Sequence, residues 1–243
     1  MIILKVIYSI FFFAYMVAVL VLSVAYLYVT ALVFKDKQEY LFLGSRFWSK
    51  YLILPVIAKL KTSGIENIPK HKPVIFVSNH QSYVDIPVLM ASLPVSFRFI
   101  VKKEFFSAPI FGPFTRRSGH LSIDRETGTE AHRTLLAAAD LIKKGKSIAI
   151  FPEGTRSPDG NLGKFKRGGF ALAFQTGVPV IPVAISGSYK IMKRNNPLLW
   201  PNKVKVTVGK PIHLTKIDIP SRELYEKTVN FVRDQIEKMM AEK

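Results

Sequence analysis

The sequence predicts an α/β domain, a mixed and mostly parallel sheet flanked by helices, preceded by an N-terminal membrane-associated segment of one or two helices. Three observations predict it. From Gly64 onward, short apolar runs alternate with segments of helical periodicity, the pattern of α/β domains. At the N-terminal end charge is nearly absent, with only Lys5 charged before Lys35. Hydrophobic residues reach 49% in a chain of formal net charge +18, which points to apolar surface gathered in one segment. At 243 residues there is room for one domain and an appendage, divided here as residues 1–60 and 61–243.

The uncharged run covers residues 6–34. As a helix it would reach about 43 Å, enough to cross a bilayer with tilt. It is too long for the apolar core of a signal peptide and lacks a clear A-x-A site, so it is read as retained. Residues 41–60 are apolar but carry Arg46, Lys50 and Lys59, with Trp48 and Tyr51 among them. Arg46 and Lys50 lie four apart and share one helical face, as in an interfacial amphipathic helix. A single span and a hairpin dipped into one leaflet both fit this pattern.

In the domain, residues 73–78, 96–101, 121–123, 147–151 and 179–185 read as strands. Residues 129–144 read as a helix with Lys143 and Lys144 in its last turn, Gly145 after it, and Thr127 with Glu130 as a capping box. The uncharged stretch 168–189 is long enough to span a membrane. Gln175, Thr176, Gly177, Pro179 and Pro182 in its middle favour a buried helix, a turn and a buried strand. A closing helix from about Ser221 places Tyr225, Val229, Val232, Ile236 and Met239 on one stripe.

Composition excludes several chemistries. The absence of Cys rules out disulfides, a thiolate nucleophile and Cys-ligated zinc. H-E-x-x-H is missing and the five histidines are far apart, so no metal site is expected. No G-x-x-x-x-G-K-[ST] loop occurs, and nothing calls for a nucleotide or another cofactor. The 35 Lys and Arg against 17 Asp and Glu call for an anionic partner. These cations are scattered and accompany no C₂H₂ or RRM signature, which argues for anionic phospholipid or an acidic carrier protein and against nucleic acid.

Candidate chemistry begins at Asn79-His80-Gln81-Ser82-Tyr83-Val84-Asp85, directly after the strand at 73–78. The carboxyl end of a strand is where α/β domains place reactive groups. On one regular helix His80 and Asp85 would diverge by about 140°. A turn must therefore separate them, and Asp85-Ile86-Pro87 has the composition of a helix start. A carboxylate there can receive the Nδ1–H of His80, fix the tautomer and leave Nε2 as a base. Phe151-Pro-Glu-Gly-Thr-Arg-Ser157 follows another strand and puts Glu153, Thr155 and Arg156 on a strand-end loop, while Gly119–Arg125 brings Arg125 to the end of the strand at 121–123. Arginine recognises phosphate with a planar fork, and Gly154 lets backbone approach a ligand. A base beside two arginines suits a phosphate ester with a free hydroxyl. Ser82 as a covalent nucleophile fits poorly, because no G-x-S-x-G elbow exists and Ser82 lies between the base and its partner.

These residues resemble the glycerolipid acyltransferase family that includes the 1-acylglycerol-3-phosphate acyltransferases, often called the PlsC family. Its four blocks occur in order: Asn79-His80 with Asp85 (the His-x₄-Asp motif), Gly119 with Ile123-Asp124-Arg125, Phe151-Pro152-Glu153-Gly154-Thr155-Arg156, and Val178-Pro179-Val180-Ile181-Pro182-Val183. The resemblance implies a general base at His80, oriented by Asp85, and an acceptor site of Arg125, Glu153, Gly154, Thr155 and Arg156. Lys103, with Lys102, either adds to the phosphate site or stays solvated. The fourth block shapes the pocket wall. Phe105, Phe106, Ile110, Phe111 and Phe114 serve either the core or an acyl-chain groove.

The implied reaction moves a fatty acyl group from a thioester donor, acyl-ACP or acyl-CoA, to the free sn-2 hydroxyl of 1-acyl-sn-glycerol-3-phosphate (lysophosphatidic acid), giving phosphatidic acid. Backbone N–H groups near the helix start after Asp85 are candidates for stabilising the oxyanion. The expected setting is a cell inner membrane, with the basic domain on the cytoplasmic face. Rival readings are another acceptor, such as glycerol-3-phosphate or a different lysophospholipid, and a catalytically silent basic module that binds membranes.

Overall fold

The computed structural model describes residues 1–33, 37–108, 111–124, 128–217 and 220–242. In chain order these form α1 (Ile2–Val33), α2 (Lys37–Ile53), β1 (Ile57–Ser63), β2 (Ile75–Ser78), α3 (Asp85–Ser92), β3 (Phe97–Lys102), α4 (Lys103–Ser107) and α5 (Phe111–Arg117). There follow β4 (Leu121–Ile123), α6 (Gly128–Lys143), β5 (Ser147–Ile150), α7 (Gly168–Thr176), β6 (Val180–Ser186), α8 (Ser188–Ile191), β7 (Asn202–Val208) and α9 (Arg222–Ala241).

The strands make one mixed sheet in the order β1-β7-β6-β2-β5-β3-β4. Strands β6, β2, β5, β3 and β4 are mutually parallel, and β7 turns the direction by pairing antiparallel with β6. Both faces are covered, which is why the central strands read as unbroken apolar runs. Alternation still sorts their side chains. Phe76, Ala149, Ile181, Val183 and Ile185 enter one core with α3, α1 and α2, while Ile75, Val77, Ile148, Ile150 and Ala184 enter the other with α6, α7 and α9. The five expected strands appear as β2 to β6, and the stretch 168–189 divides into α7, a turn at Gly177 and β6. At the start of α9, Ser221 Oγ accepts the Leu224 N–H at 3.2 Å. Thr127, the expected cap of α6, lies outside the described residues.

Two strands stand outside the expected set. The helix expected over 41–60 ends at Ile53, and Ile57–Ser63 joins the sheet as β1, parallel to β7. The division drawn at residue 60 thus falls within a strand. Pro55 is the physical reason, since it offers no N–H and restricts the residue before it. Strand β7 buries Val204, Val206 and Val208 and turns Lys203, Lys205 and Thr207 away from the core.

Helices α1 and α2 form an antiparallel hairpin. Tyr26 donates its hydroxyl to the Tyr40 carbonyl at 2.8 Å, Tyr15 to that of Tyr51 at 2.8 Å, and Tyr8 to that of Pro55. Residues 2–26 of α1 are long and apolar enough to cross a membrane by length and composition. The hairpin is also part of the domain's packing, since Phe12, Phe42 and Ile53 are buried in the core that lies under α3. A polar contact adds to this. Arg98 of β3 is fully buried and pairs with Glu39 of α2 at 2.9 Å, and Lys146, just before β5, pairs with the same carboxylate. Glu39 is half-buried, a setting that opposes ionisation, but its bonds to Lys146, Arg98 and Ser96 hold its pKa below the usual value.

His120, at the entrance to β4, is buried and accepts the Phe99 N–H at Nδ1, 3.1 Å away. This contact requires an unprotonated Nδ1. Burial, followed by the charge of Arg98, pushes its pKa down from 6.5 to about 3. In the unfolded chain the imidazole takes up a proton near 6.5, and in the folded chain it does not. The resulting stabilisation is complete above that pH and is lost as pH falls through the window from 6.5 to about 3. One such group tilts stability by up to about 1.4 kcal/mol per pH unit. Asn at position 120 supplies an acceptor that does not titrate. We expect His120→Asn to flatten the fall in unfolding free energy between pH 6 and pH 5 by that slope, measured by denaturation in detergent. An unchanged slope would place the linkage elsewhere.

Candidate active site

The site is assembled by register. Val77 of β2 lies beside Ile150 of β5 and Pro182 of β6, so the segments that follow these parallel strands emerge together at one edge of the sheet. Asn79 fastens this edge, accepting the Ile185 N–H at 2.8 Å and donating to the Ile185 carbonyl at 2.9 Å. The next residue is His80.

His80 and Asp85 meet as the turn requires. His80 Nδ1 lies 2.9 Å from Asp85 Oδ2, with the carboxylate fully buried at the first residue of α3. The same oxygen accepts the N–H groups of Gln81 at 2.6 Å and Ser82 at 2.8 Å. A carboxylate in this position accepts Nδ1–H, the tautomer in which Nε2 is the free acceptor. Nε2 makes no hydrogen bond among the described residues. The imidazole face stacks on Phe151, with ring centroids 4.1 Å apart and planes 18° from parallel. Ser82 is buried and gives its hydroxyl to the Met192 carbonyl at 2.9 Å.

The loop after β5 is tied to the same turn. Glu153, expected to face the acceptor, is buried and turned inward: Oε1 accepts the His80 N–H at 2.7 Å and Oε2 the Gly163 N–H at 3.0 Å. Burial raises its pKa, against the lowering effect of these two amides. The Ser157 N–H donates to the His80 carbonyl at 2.8 Å, so both backbone groups of His80 are held by this loop. Gly154 has φ +74°, the left-handed region that glycine enters freely, and its N–H returns to the Phe151 carbonyl at 3.0 Å. Thr155 is exposed. Arg156 lies with its Cζ 3.5 Å from the centroid of the Tyr83 ring, and its Nη1 is buried without a partner among the described residues.

Lys103 follows β3 at the same edge of the sheet and is exposed, with Nζ 3.3 Å from Asp124 Oδ2 beyond the end of β4. Arg125, Ile110 and the side chains of Phe111 and Phe114 lie outside the described residues. Of the remaining aromatics, Phe105 is exposed and Phe106 half-buried. Three contributors were not expected: Phe151 as the platform under His80, Tyr83 as that under Arg156, and Gly163 as a donor to Glu153. For Gly163 the reason is steric as well, since a Cβ there would fall 2.8 Å from Glu153 Oε2. Among the described residues no group of His, Asp and Glu is arranged to hold a metal ion.

Comparison with known proteins agrees with the blocks that carry the site. The acyltransferase family model matches residues 59–186, more than half of the chain. A chloroplastic 1-acyl-sn-glycerol-3-phosphate acyltransferase of Arabidopsis thaliana is 40% identical over 185 residues, covering 75% of this chain and 51% of that one. A protein of the same name from Pseudomonas aeruginosa is 35% identical over 173 residues, covering 68% of this chain and 65% of its own. The chain thus spans about half the length of the plant relative and under two thirds of the bacterial one. The crystal structure of the 1-acyl-sn-glycerophosphate (LPA) acyltransferase PlsC from Thermotoga maritima superposes with a TM-score of 0.83 at 27% identity, covering 99% of this chain and 98% of that one. The chain belongs to the acyltransferase family that contains the 1-acyl-sn-glycerol-3-phosphate acyltransferases.

Proposed function

We propose that this protein is a membrane-bound 1-acyl-sn-glycerol-3-phosphate O-acyltransferase, and the observation that carries the reading is the His80–Asp85 pair, with Nδ1 2.9 Å from the buried carboxylate. His80 Nε2 takes the proton of the sn-2 hydroxyl as that oxygen attacks the carbonyl carbon of the acyl thioester. The tetrahedral intermediate collapses, the C–S bond breaks, and the imidazolium returns the proton to the departing thiolate of acyl-ACP or acyl-CoA. Asp85 holds the tautomer and stabilises the imidazolium. Arg156 and Arg125 take the acceptor phosphate, with Thr155 and Lys103 at its rim and Gly154 allowing close approach of the loop. Glu153 positions rather than touches the acceptor. Both substrate and product are lipids, which supports placing the hairpin in a cell inner membrane with the basic domain on its cytoplasmic face beside anionic headgroups.

The direct test is turnover of lysophosphatidic acid by the purified protein with acyl-CoA and acyl-ACP, beside glycerol-3-phosphate and a phosphate-free acceptor. We expect lysophosphatidic acid to be preferred. His80→Ala should lower kcat by roughly 10²–10⁴-fold with acceptor KM nearly unchanged, and Asp85→Asn should also slow it. Retention of more than a tenth of kcat in His80→Ala would refute the base assignment.

Glu153→Gln replaces one acceptor oxygen by an amide donor, so one of the two N–H contacts is lost. A charged hydrogen bond of this kind is worth about 1.5–3 kcal/mol, so kcat should fall by roughly tenfold or more through displacement of His80. If acceptor KM rose instead and kcat held, Glu153 would be contacting the acceptor after all.

The hairpin leaves Phe11 and Leu22 of α1 exposed. Glu at either position should weaken salt-resistant retention on vesicles, by up to about 2.5–3.5 kcal/mol where the residue lies at mid-bilayer and by less nearer the interface. Retention that disappears at high salt even without these substitutions would mean that attachment is electrostatic alone.

A further inference from the structure

Tyr83 occupies the turn between His80 and Asp85 and has no part in the chemistry proposed above. The turn places it beside the loop after β5, because Gln81 and Ser82 are pinned through their N–H groups to Asp85 Oδ2 while Ser157 is pinned to the His80 carbonyl. Arg156 lies over its ring, with Cζ 3.5 Å from the ring centroid, and the residue stays 46% exposed beside it. At that distance the guanidinium lies at van der Waals contact over the ring face, where attraction between cation and π-system is greatest. Arg194 donates from Nη1 to the Arg156 carbonyl at 3.2 Å, which restrains the backbone of the same residue.

One side of the guanidinium is thereby covered by the ring. Nη1 is the informative atom: it is shielded from water and has no partner among the described residues. A buried cationic donor without an acceptor is costly, so its geometry is maintained by the stacking and made good by a ligand. A doubly charged phosphate monoester presents oxygens that accept two N–H bonds in one plane.

We infer that Tyr83 is a positioning residue for acceptor binding, a shelf that holds the Arg156 guanidinium in place from one side so that its N–H groups meet the acceptor phosphate as it enters. The inference rests on the reading of Arg156 as the phosphate ligand. It also assigns a function to a position within the His-x₄-Asp turn that lies between the base and its partner: the same turn that orients the base sets the phosphate ligand, so both ends of the acceptor are registered against one segment of backbone.

The experiment measures both substrates' KM and kcat in Tyr83→Leu, Tyr83→Phe, Arg156→Lys and the double variant Tyr83→Leu/Arg156→Lys, with the melting midpoint as a control on folding. Tyr83→Leu should raise the KM for lysophosphatidic acid by roughly 5- to 20-fold, with kcat within about twofold and donor KM unchanged. Tyr83→Phe, which keeps the ring face, should restore the affinity. In the Arg156→Lys background the Leu substitution should add less than about twofold, because the fork it positions is gone. The shelf is refuted if Arg156→Lys raises acceptor KM while Tyr83→Leu does not, if the two effects multiply in full, or if Phe is as damaging as Leu. An Arg156→Lys variant with unchanged acceptor KM would overturn the phosphate reading itself, and the shelf with it.

Discussion

The site depends on one oxygen atom. Asp85 Oδ2 receives the imidazole of His80 and the N–H groups of Gln81 and Ser82, three donors that would otherwise have to be satisfied by water at a buried strand end. The convergence folds residues 80–85 back on themselves, which a histidine and an aspartate five apart on a straight helix cannot do. It also fixes what lies around them. The His80 backbone is then in position to give its N–H to Glu153 and to accept from Ser157, so the loop after β5 is placed by the turn after β2.

Much of this was legible because the chemistry is written locally. A helix-start composition at Asp85-Ile86-Pro87, five residues after a histidine, specifies a turn, and the structure contains that turn. Strands β2, β5 and β6 were legible for a related reason: buried on both faces, they are dense apolar runs. The contacts that sequence reading missed have no local signature. Phe151 and Tyr83 are ordinary aromatics until the parallel register brings them against His80 and Arg156. Glu153 reads as a ligand from its loop and is turned inward by two amides, one of them from a residue 73 positions away.

The edge of the sheet was harder to read than its centre. In β1, Lys59 and Lys61 alternate with apolar residues, and the first of them lies nine residues beyond Lys50, close enough to extend an amphipathic pattern past Pro55. Strand β7 carries the period-two signal plainly in Val204, Val206 and Val208, yet it lies apart from the four family blocks and turns its lysines outward, as edge-proximal strands do. Both strands run against the direction of the five that carry the site. They widen the core under the hairpin and contribute none of the residues assigned to catalysis.

The polar contact between the hairpin and the sheet has a consequence for biogenesis. Glu39 leaves the ribosome 59 residues before Arg98 and 107 before Lys146, the two cations that share its carboxylate. At roughly 5–20 residues per second the second interval lasts about 5–20 s, far longer than a helical hairpin needs to form. During that time the buried face of the hairpin has no sheet to cover it, and Phe12, Phe42 and Ile53 await a partner. A bilayer is the natural holding environment for such a face. On the membrane-bound reading proposed above, insertion of the hairpin precedes closure of the domain that packs on it, and the chain completes its fold already at the bilayer surface.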